Sequence, residues 1–359
     1  MNRLILIGNG FDLAHKLETS YCHFITDYIT NALNNFFAYN IHEDPLLHLK
    51  FKYTSYGFSD VDKNRKIKNS EAWQVLKNFS NSNHYEVRIK SSYLSQTIEQ
   101  ITVTNWVDLE NDYFDRLVGC KRTNGYNLND VKKLNLEFDF LKDELEKYLK
   151  RHETENEIEF SKDLLNLFYE PIKSEDIVTT RVSDEPPKRL LFLSFNYTKT
   201  LSVYMDKSKN HIPTEINYIH GELNSKTNPI IFGFGDEYNK NYLEFEELRN
   251  KELLKHIKSF GYFRSSNYHN LIRFLESDDF QVYIFGHSLG LSDRTMLKQI
   301  FEHEKCKSIK LFYHGDELKN DYTDKTYDIS SHFNDKGLMR KKIVPFDKSS
   351  SMPQPGYKS

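Results

Sequence analysis

The first strand constrains this chain most. Arg3-Leu4-Ile5-Leu6-Ile7 is a short, mostly apolar run that stops at Gly8-Asn9-Gly10, and Phe11-Asp12-Leu13-Ala14 then starts a helical pattern. Strand, glycine turn and helix in this order begin many nucleotide-binding α/β domains. Glycines let backbone approach a phosphate, and a helix start offers N–H groups to an anion. A full dinucleotide fingerprint asks for a third glycine, and Leu13 stands there. Taken alone, the turn reads equally as a ligand loop or as a tight structural turn.

Five further strands are expected, at Arg189–Phe195, Glu215–Ile219, Pro229–Phe232, Gln281–Phe285 and Ser308–Tyr313. Most are continuous apolar runs, as in strands of a parallel sheet covered on both faces. Helical spacing over 13–40, 242–260, 268–276 and 293–304 alternates with them. The fold class that follows is α/β, with a Rossmann-like, mostly parallel, doubly wound sheet. The polar stretch 44–185 interrupts it as a mainly helical insertion, with helices over 129–152 and 155–169. The expected domains are 1–43 with 186–346 for the nucleotide-binding part, 44–185 for the insertion, and 347–359 as a flexible tail.

Composition narrows the function classes. Among 359 residues, 49 basic and 52 acidic side chains leave a net charge of −3, which gives no electrostatic case for wrapping nucleic acid. Three cysteines, Cys22, Cys120 and Cys306, are too few and too scattered for a disulfide framework or a zinc site. They suit a reducing cytoplasm, and no apolar run reaches the roughly 18–20 residues that span a bilayer. The expectation is a cytoplasmic protein with no resident metal, no membrane partner and scope for homo-oligomer formation.

Ligands of open α/β sheets bind beyond the carboxyl ends of the strands. There the sequence offers Gly8-Asn9-Gly10-Phe11-Asp12, Ser194-Phe195-Asn196-Tyr197-Thr198, His220-Gly221-Glu222, Gly233-Phe234-Gly235-Asp236-Glu237, and Gly286-His287-Ser288-Leu289 leading to Ser292-Asp293. Small, polar or ionisable residues at so many strand ends point to a site. Each also has a plain structural reading. Asn196 would cap a helix near Thr198, His220 would be a bonded turn histidine, and Ser292 or Asp293 would cap the following helix. Asp12 would cap the first helix, Asp236 and Glu237 would be solvated, and Trp106 in Trp106-Val107-Asp108-Leu109-Glu110 would pack on an exposed helix.

Leu6–Leu13, Trp106–Glu110, Ser194–Thr198, Ile219-His220-Gly221 and Phe285–Leu289, in that order, resemble the AbiH family of bacterial abortive-infection proteins. That resemblance implies defence against phage and names no reaction. Gly-x-Gly, Asn-Tyr, His-Gly and Gly-x-Ser-Leu before a helix-start Asp also resemble the sirtuin-like, NAD-binding domains of bacterial defence systems. This second resemblance implies NAD as ligand or substrate. It makes Gly8 and Gly10 the pyrophosphate lining, Asn196 the group orienting water or ribose, and His220 the general base. The chain has Phe11 where Ser or Thr usually follows the turn, Thr198 where Asp follows Asn-Tyr, and no four-cysteine zinc module.

The chemistry required is modest. Breaking the nicotinamide bond develops positive charge on the ribose, and the departing ring is already cationic. Asn196, His220 and Asp12 have the types needed for catalysis, with His220 taken at its ordinary pKa near 6.5. Asn9, Tyr197, Gly233, Gly286, Ser288 and Asp293 join Gly8, Gly10 and Phe11 as cofactor-binding candidates, and Phe11, Tyr197 and Phe234 could enclose a ring. An NAD glycohydrolase is one functional reading. A non-catalytic nucleotide sensor, with the insertion meeting a phage or host protein as trigger, is the other. A nuclease ranks below both. On the ligand-loop reading, Gly8→Val abolishes nucleotide binding and leaves the fold intact.

Overall fold

The computed structural model describes residues 1–357 except 53–64, 105–107, 124, 156, 180–182 and 208–210. Two compact units divide it: Met1–Glu18, Leu149–Arg249 and His256–Ser359 form the first, and Thr19–Tyr148 with Asn250–Lys255 the second. These boundaries differ from the expected 43/44 and 185/186. The helix expected over 13–40 is broken, because His15 ends one helix (Asn9–Ala14) and Lys16 takes a left-handed φ of 62°. Ser20 then caps a second helix, Tyr21–Tyr39, by accepting from the His23 N–H.

The first unit is built on a six-stranded parallel sheet. Its strands are β1 (Asn2–Ile7), β2 (Leu190–Ser194), β3 (Thr214–Tyr218), β4 (Phe280–Phe285), β5 (Cys306–Tyr313) and β6 (Ser350–Ser351). The spatial order is β3-β2-β1-β4-β5-β6, and every pairing is parallel. The chain moves outward from β1 through β2 to β3, then returns to lay β4 on the other side of β1. The order therefore reverses between β1 and β4.

Alternation along β1 serves two cores. Leu4 and Leu6 face a cluster with Leu271, Phe274, Met296, Leu297, Ile300 and Phe301, from helices Asn267–Ser277 and Arg294–Glu302. Ile5 and Ile7 face the opposite cluster with Phe11, Ala14, Leu164, Phe168 and Tyr204, from helices Asn9–Ala14, Lys162–Tyr169 and Ser202–Lys207. Burial on both faces is why these strands read as apolar runs rather than alternating ones.

Three sequence expectations change here. Pro229–Phe232 is not a strand: the Ile231 N–H bonds back to the His220 carbonyl, and the Glu222 N–H to that of Asn228, so the segment closes a loop. The helix expected over 242–260 is three short helices, Lys240–Leu248, Lys251–Leu254 and Lys258–Gly261, broken where Arg249 turns left-handed and Asn250 starts the next by accepting from the Glu252 N–H. The expected flexible tail is held through residue 357. β6 pairs with β5, Met352 is buried, and the Gly356 N–H bonds the Ala14 carbonyl.

The second unit is helical, as its spacing predicts, and also carries an antiparallel sheet that the spacing does not. Ile41–Glu43, Leu47–Phe51 and Tyr85–Ile89 pair in order, with Phe36, Phe51, Phe79 and Tyr85 in ring contact. Trp106 and Val107 lie outside the described residues. Asp108 caps helix Leu109–Gly119, accepting from the Glu110 and Asn111 N–H groups, and Glu110 is buried. Among the described residues no helix is long and apolar enough to cross a membrane.

Candidate functional site

The carboxyl ends of β1, β2, β3 and β4 gather the residues the sequence singled out. The turn after β1 is locked onto the turn after β4. The Gly8 N–H bonds the Phe285 carbonyl at 3.0 Å, and the Gly10 N–H bonds that of Gly286 at 2.8 Å. A Cβ on Gly8 would lie 2.4 Å from the His287 Cα, and one on Gly286, at φ +66°, would lie 2.2 Å from the Phe11 nitrogen. The glycines are therefore required by backbone meeting backbone. The Gly8 and Gly10 N–H groups are used inside the protein and form no open pyrophosphate cradle, and the helix they start is only six residues long.

The other candidates brace this junction. Asn196 Nδ2 donates to the Gly8 carbonyl at 3.0 Å, and no helix begins near Thr198 for Asn196 to cap. Thr198 Oγ1 donates to Asp12 Oδ2 at 2.6 Å, tying the end of β2 to the first helix. Asp12 sits within that helix, buried, rather than at its cap. Phe11 is fully buried against His15, Phe168 and Tyr204, so it belongs to the core and cannot stack on a ligand from solvent. Phe234 is buried as well, and the Tyr197 hydroxyl is spent on the Ile231 carbonyl. Asn9, Gly10 and Gly286 are half-buried and Ser288 is exposed, so these form the reachable rim.

Behind the rim lies a buried charged cluster. Asp293 stands at the N-cap position of helix Arg294–Glu302 but makes no side-chain cap bond. Its Oδ1 instead takes the Lys258 ammonium at 2.8 Å and lies 3.1 Å from His220 Nε2. His287 Nε2 is 3.8 Å from Oδ2. The Leu289 N–H donates to His287 Nδ1, so the ring hydrogen sits on Nε2, toward the carboxylate. The Tyr262 hydroxyl lies 3.3 Å from His220 Nε2, and the Phe195 ring packs edge-on against both histidines.

Electrostatics set the protonation states. Desolvation opposes the Asp293 charge, yet Lys258 and His220 outweigh it and hold the carboxyl well below its usual range. Burial, with Lys258 adding to it, lowers the His220 pKa, so the imidazole does not keep the ordinary value near 6.5 expected of it. Burial pushes His287 down to about 3. Both imidazoles are neutral at cellular pH.

Lys258 and Tyr262 were missed by sequence reasoning. Both fall in or beside a segment whose spacing reads as surface helix, and nothing local marks them. Lys258 is aimed inward because segment 256–258 bridges 234: the Phe234 N–H bonds the His256 carbonyl, and the Lys258 N–H bonds that of Phe234. Gly233 lies against the same His256 backbone, 2.0 Å from where its Cβ would be. Asp236, by contrast, is structural, accepting from the Tyr238 N–H and from Arg294 Nη1. Among the described residues no three His, Cys, Asp or Glu side chains are grouped to hold a metal ion.

Residues 4–314, which carry all of these strand ends, match the family described as Bacteriophage abortive infection AbiH. The chain belongs to the AbiH family. Membership brings with it a role in abortive-infection defence against bacteriophage. The AbiH match includes the meshed turns, the buried cluster and the second unit, and stops before the segment that carries β6. No curated protein matches the chain.

Proposed function

We propose that this AbiH protein acts against phage by binding a nucleotide, NAD first among candidates, at the carboxyl edge of its sheet and hydrolysing the N-glycosidic bond. The strand order supports a nucleotide. It is the order of the doubly wound, Rossmann-like dinucleotide-binding sheets, whose ligands lie where the order reverses, here between β1 and β4. The observation that carries a hydrolytic reading is the neutral His220 held at 3.1 Å from an ionised Asp293 in a dry setting. A base kept unprotonated and oriented by a carboxylate is what activation of water requires.

The residues divide the work. Water attacks the ribose C1′, its proton passes to His220, and the C–N bond breaks with its electron pair going to the departing ring, which leaves neutral. Asp12 offers a carboxylate to the positive charge on the ribose, and Asn196 holds the turn beside it. Phosphates are assigned to the rim at Asn9 and Ser288, because the Gly8 and Gly10 N–H groups are already bonded. Purified protein incubated with NAD is expected to release nicotinamide, and His220→Ala is expected to stop release and phage protection while remaining folded. A folded His220→Ala protein with normal protection removes the catalytic role.

One observation favours a second reading. Asn196, His220 and Asp293 are all under a tenth exposed and bonded to one another or to backbone. So sealed a cluster suits a nucleotide sensor without turnover, triggered by a phage or host protein. Nucleotide recovered from the denatured protein, with no nicotinamide release in the presence of infected-cell extract, selects that reading.

A further inference from the structure

His220 faces two hydrogen-bond acceptors, the Asp293 carboxylate and the Phe195 backbone carbonyl. A neutral imidazole carries one N–H and can satisfy only one of them. That surrounding by itself would favour the doubly protonated ring, which is useless as a base. The Lys258 side chain is fully buried, and its ammonium reaches the same oxygen, Asp293 Oδ1, that His220 Nε2 faces.

We propose that Lys258 is a positioning residue for the proposed hydrolysis: by neutralising the Asp293 oxygen that His220 shares, it keeps His220 a neutral imidazole. The argument is electrostatic. An ionised carboxylate beside an imidazole draws a proton onto the ring, and a cation on that carboxylate cancels the pull. In a dry interior both effects are large, because little solvent screens them. Among the described residues, Lys325 and His332 also bear on the cluster from the His287 side. His287 is itself neutral, and the Tyr262 and Tyr197 rings lie beside His220. Burial is the first cause of the lowered His220 pKa, and Lys258 adds to it in the direction this role requires.

The inference rests on His220 acting as base, but its test reads protonation and not turnover. In 15N-histidine-labelled protein, the His220 resonances are assigned by their absence from His220→Asn. They are expected to report a neutral ring at pH 7 in the wild type and in Lys258→Arg. In Lys258→Met they are expected to report a doubly protonated ring at pH 7, with the titration moved up by more than one unit. Lys258→Gln, which can still bond Asp293 without charge, is expected to shift in the same direction and serves if the Met variant does not fold. A His220 that is doubly protonated in the wild type, or one that stays neutral in a folded Met or Gln variant, overturns the inference. Failure of NAD turnover in the wild type would overturn the hydrolase reading and leave the NMR result standing.

Discussion

Two of the buried polar networks among the described residues of the first unit are built in opposite ways. One sits among the strands. Arg3 donates to the Phe168 and Glu170 carbonyls, to Gln281 and to Tyr283, while Lys310 and Gln281 reach Asp176. Its members are mostly strand side chains clamped to the 168–176 segment. The other, around Asp293, is assembled from loops and helix ends beyond the strands. Both obey one rule, that a buried charge must be paired. The strand network fixes what packs on the sheet. The strand-end network, next to the reachable rim, is the one proposed to act on a ligand. The difference teaches that burial and pairing by themselves do not mark a site, so the proposed one rests on position at the carboxyl edge.

The sharpest break of this comparison is at the meshed turns, which hold the strand-end network in place. Gly8→Val is expected to abolish the folded state, since its Cβ would lie 2.4 Å from the His287 Cα. This replaces the expectation that the variant loses binding alone. Circular dichroism and solubility decide it, and a wild-type melt for Gly8→Val would show that the two turns can part.

Next in size is the strand network. Lys310→Met leaves Asp176, whose side chain is fully buried, without its ammonium partner. It is expected to cost about 3–5 kcal/mol in urea unfolding, the range for breaking a buried pair, while leaving the His220 resonances unmoved. A shift at His220 would mean the two networks are coupled.

Acid should then separate them. The His287 pKa is about 3 in the fold and 6.5 when unperturbed. The unfolded chain therefore binds more protons between those values, and stability contributed by His287 is lost as pH falls below 6.5 toward 3. The strand network contains no histidine. Amide exchange at 286–289 is expected to speed up between pH 7 and 5 more than at 281–283, after correction for intrinsic rates. Uniform change along the segment would erase the distinction.

The smallest effect belongs to Asn196→Ala. It removes one donor from the Gly8 carbonyl, which keeps the Phe11 N–H. A loss of about 0.5–1.5 kcal/mol is expected by thermal melt. A larger loss would make Asn196 a strut of the meshed turns and leave its proposed role with the ligand unsupported by loss of function alone.

Much of the architecture was readable because it depends on local pattern. Leu4–Ile7, Leu190–Leu193 and Val282–Phe285 are apolar runs whatever surrounds them, and glycine after β1 and β4 marks the turns. The residues at those ends, Asp12, Asn196, His220, His287 and Asp293, could be picked out from position alone. Their partners could not. That Gly8 meets His287, that Asp293 forsakes its cap for Lys258, and that Phe11 turns into the core depend on contacts between separate segments, which no local spacing encodes. Lys258 shows the limit best. In the sequence it is one lysine among many on a helical stretch, and the bridge between 234 and 257 turns it inward, where its ammonium reaches Asp293. Local propensity and periodicity were enough to determine the strands and the edge at which the polar residues lie. Tertiary structure alone decided which of those residues are paired, charged or sealed, because desolvation and Coulomb attraction act through space and not along the chain.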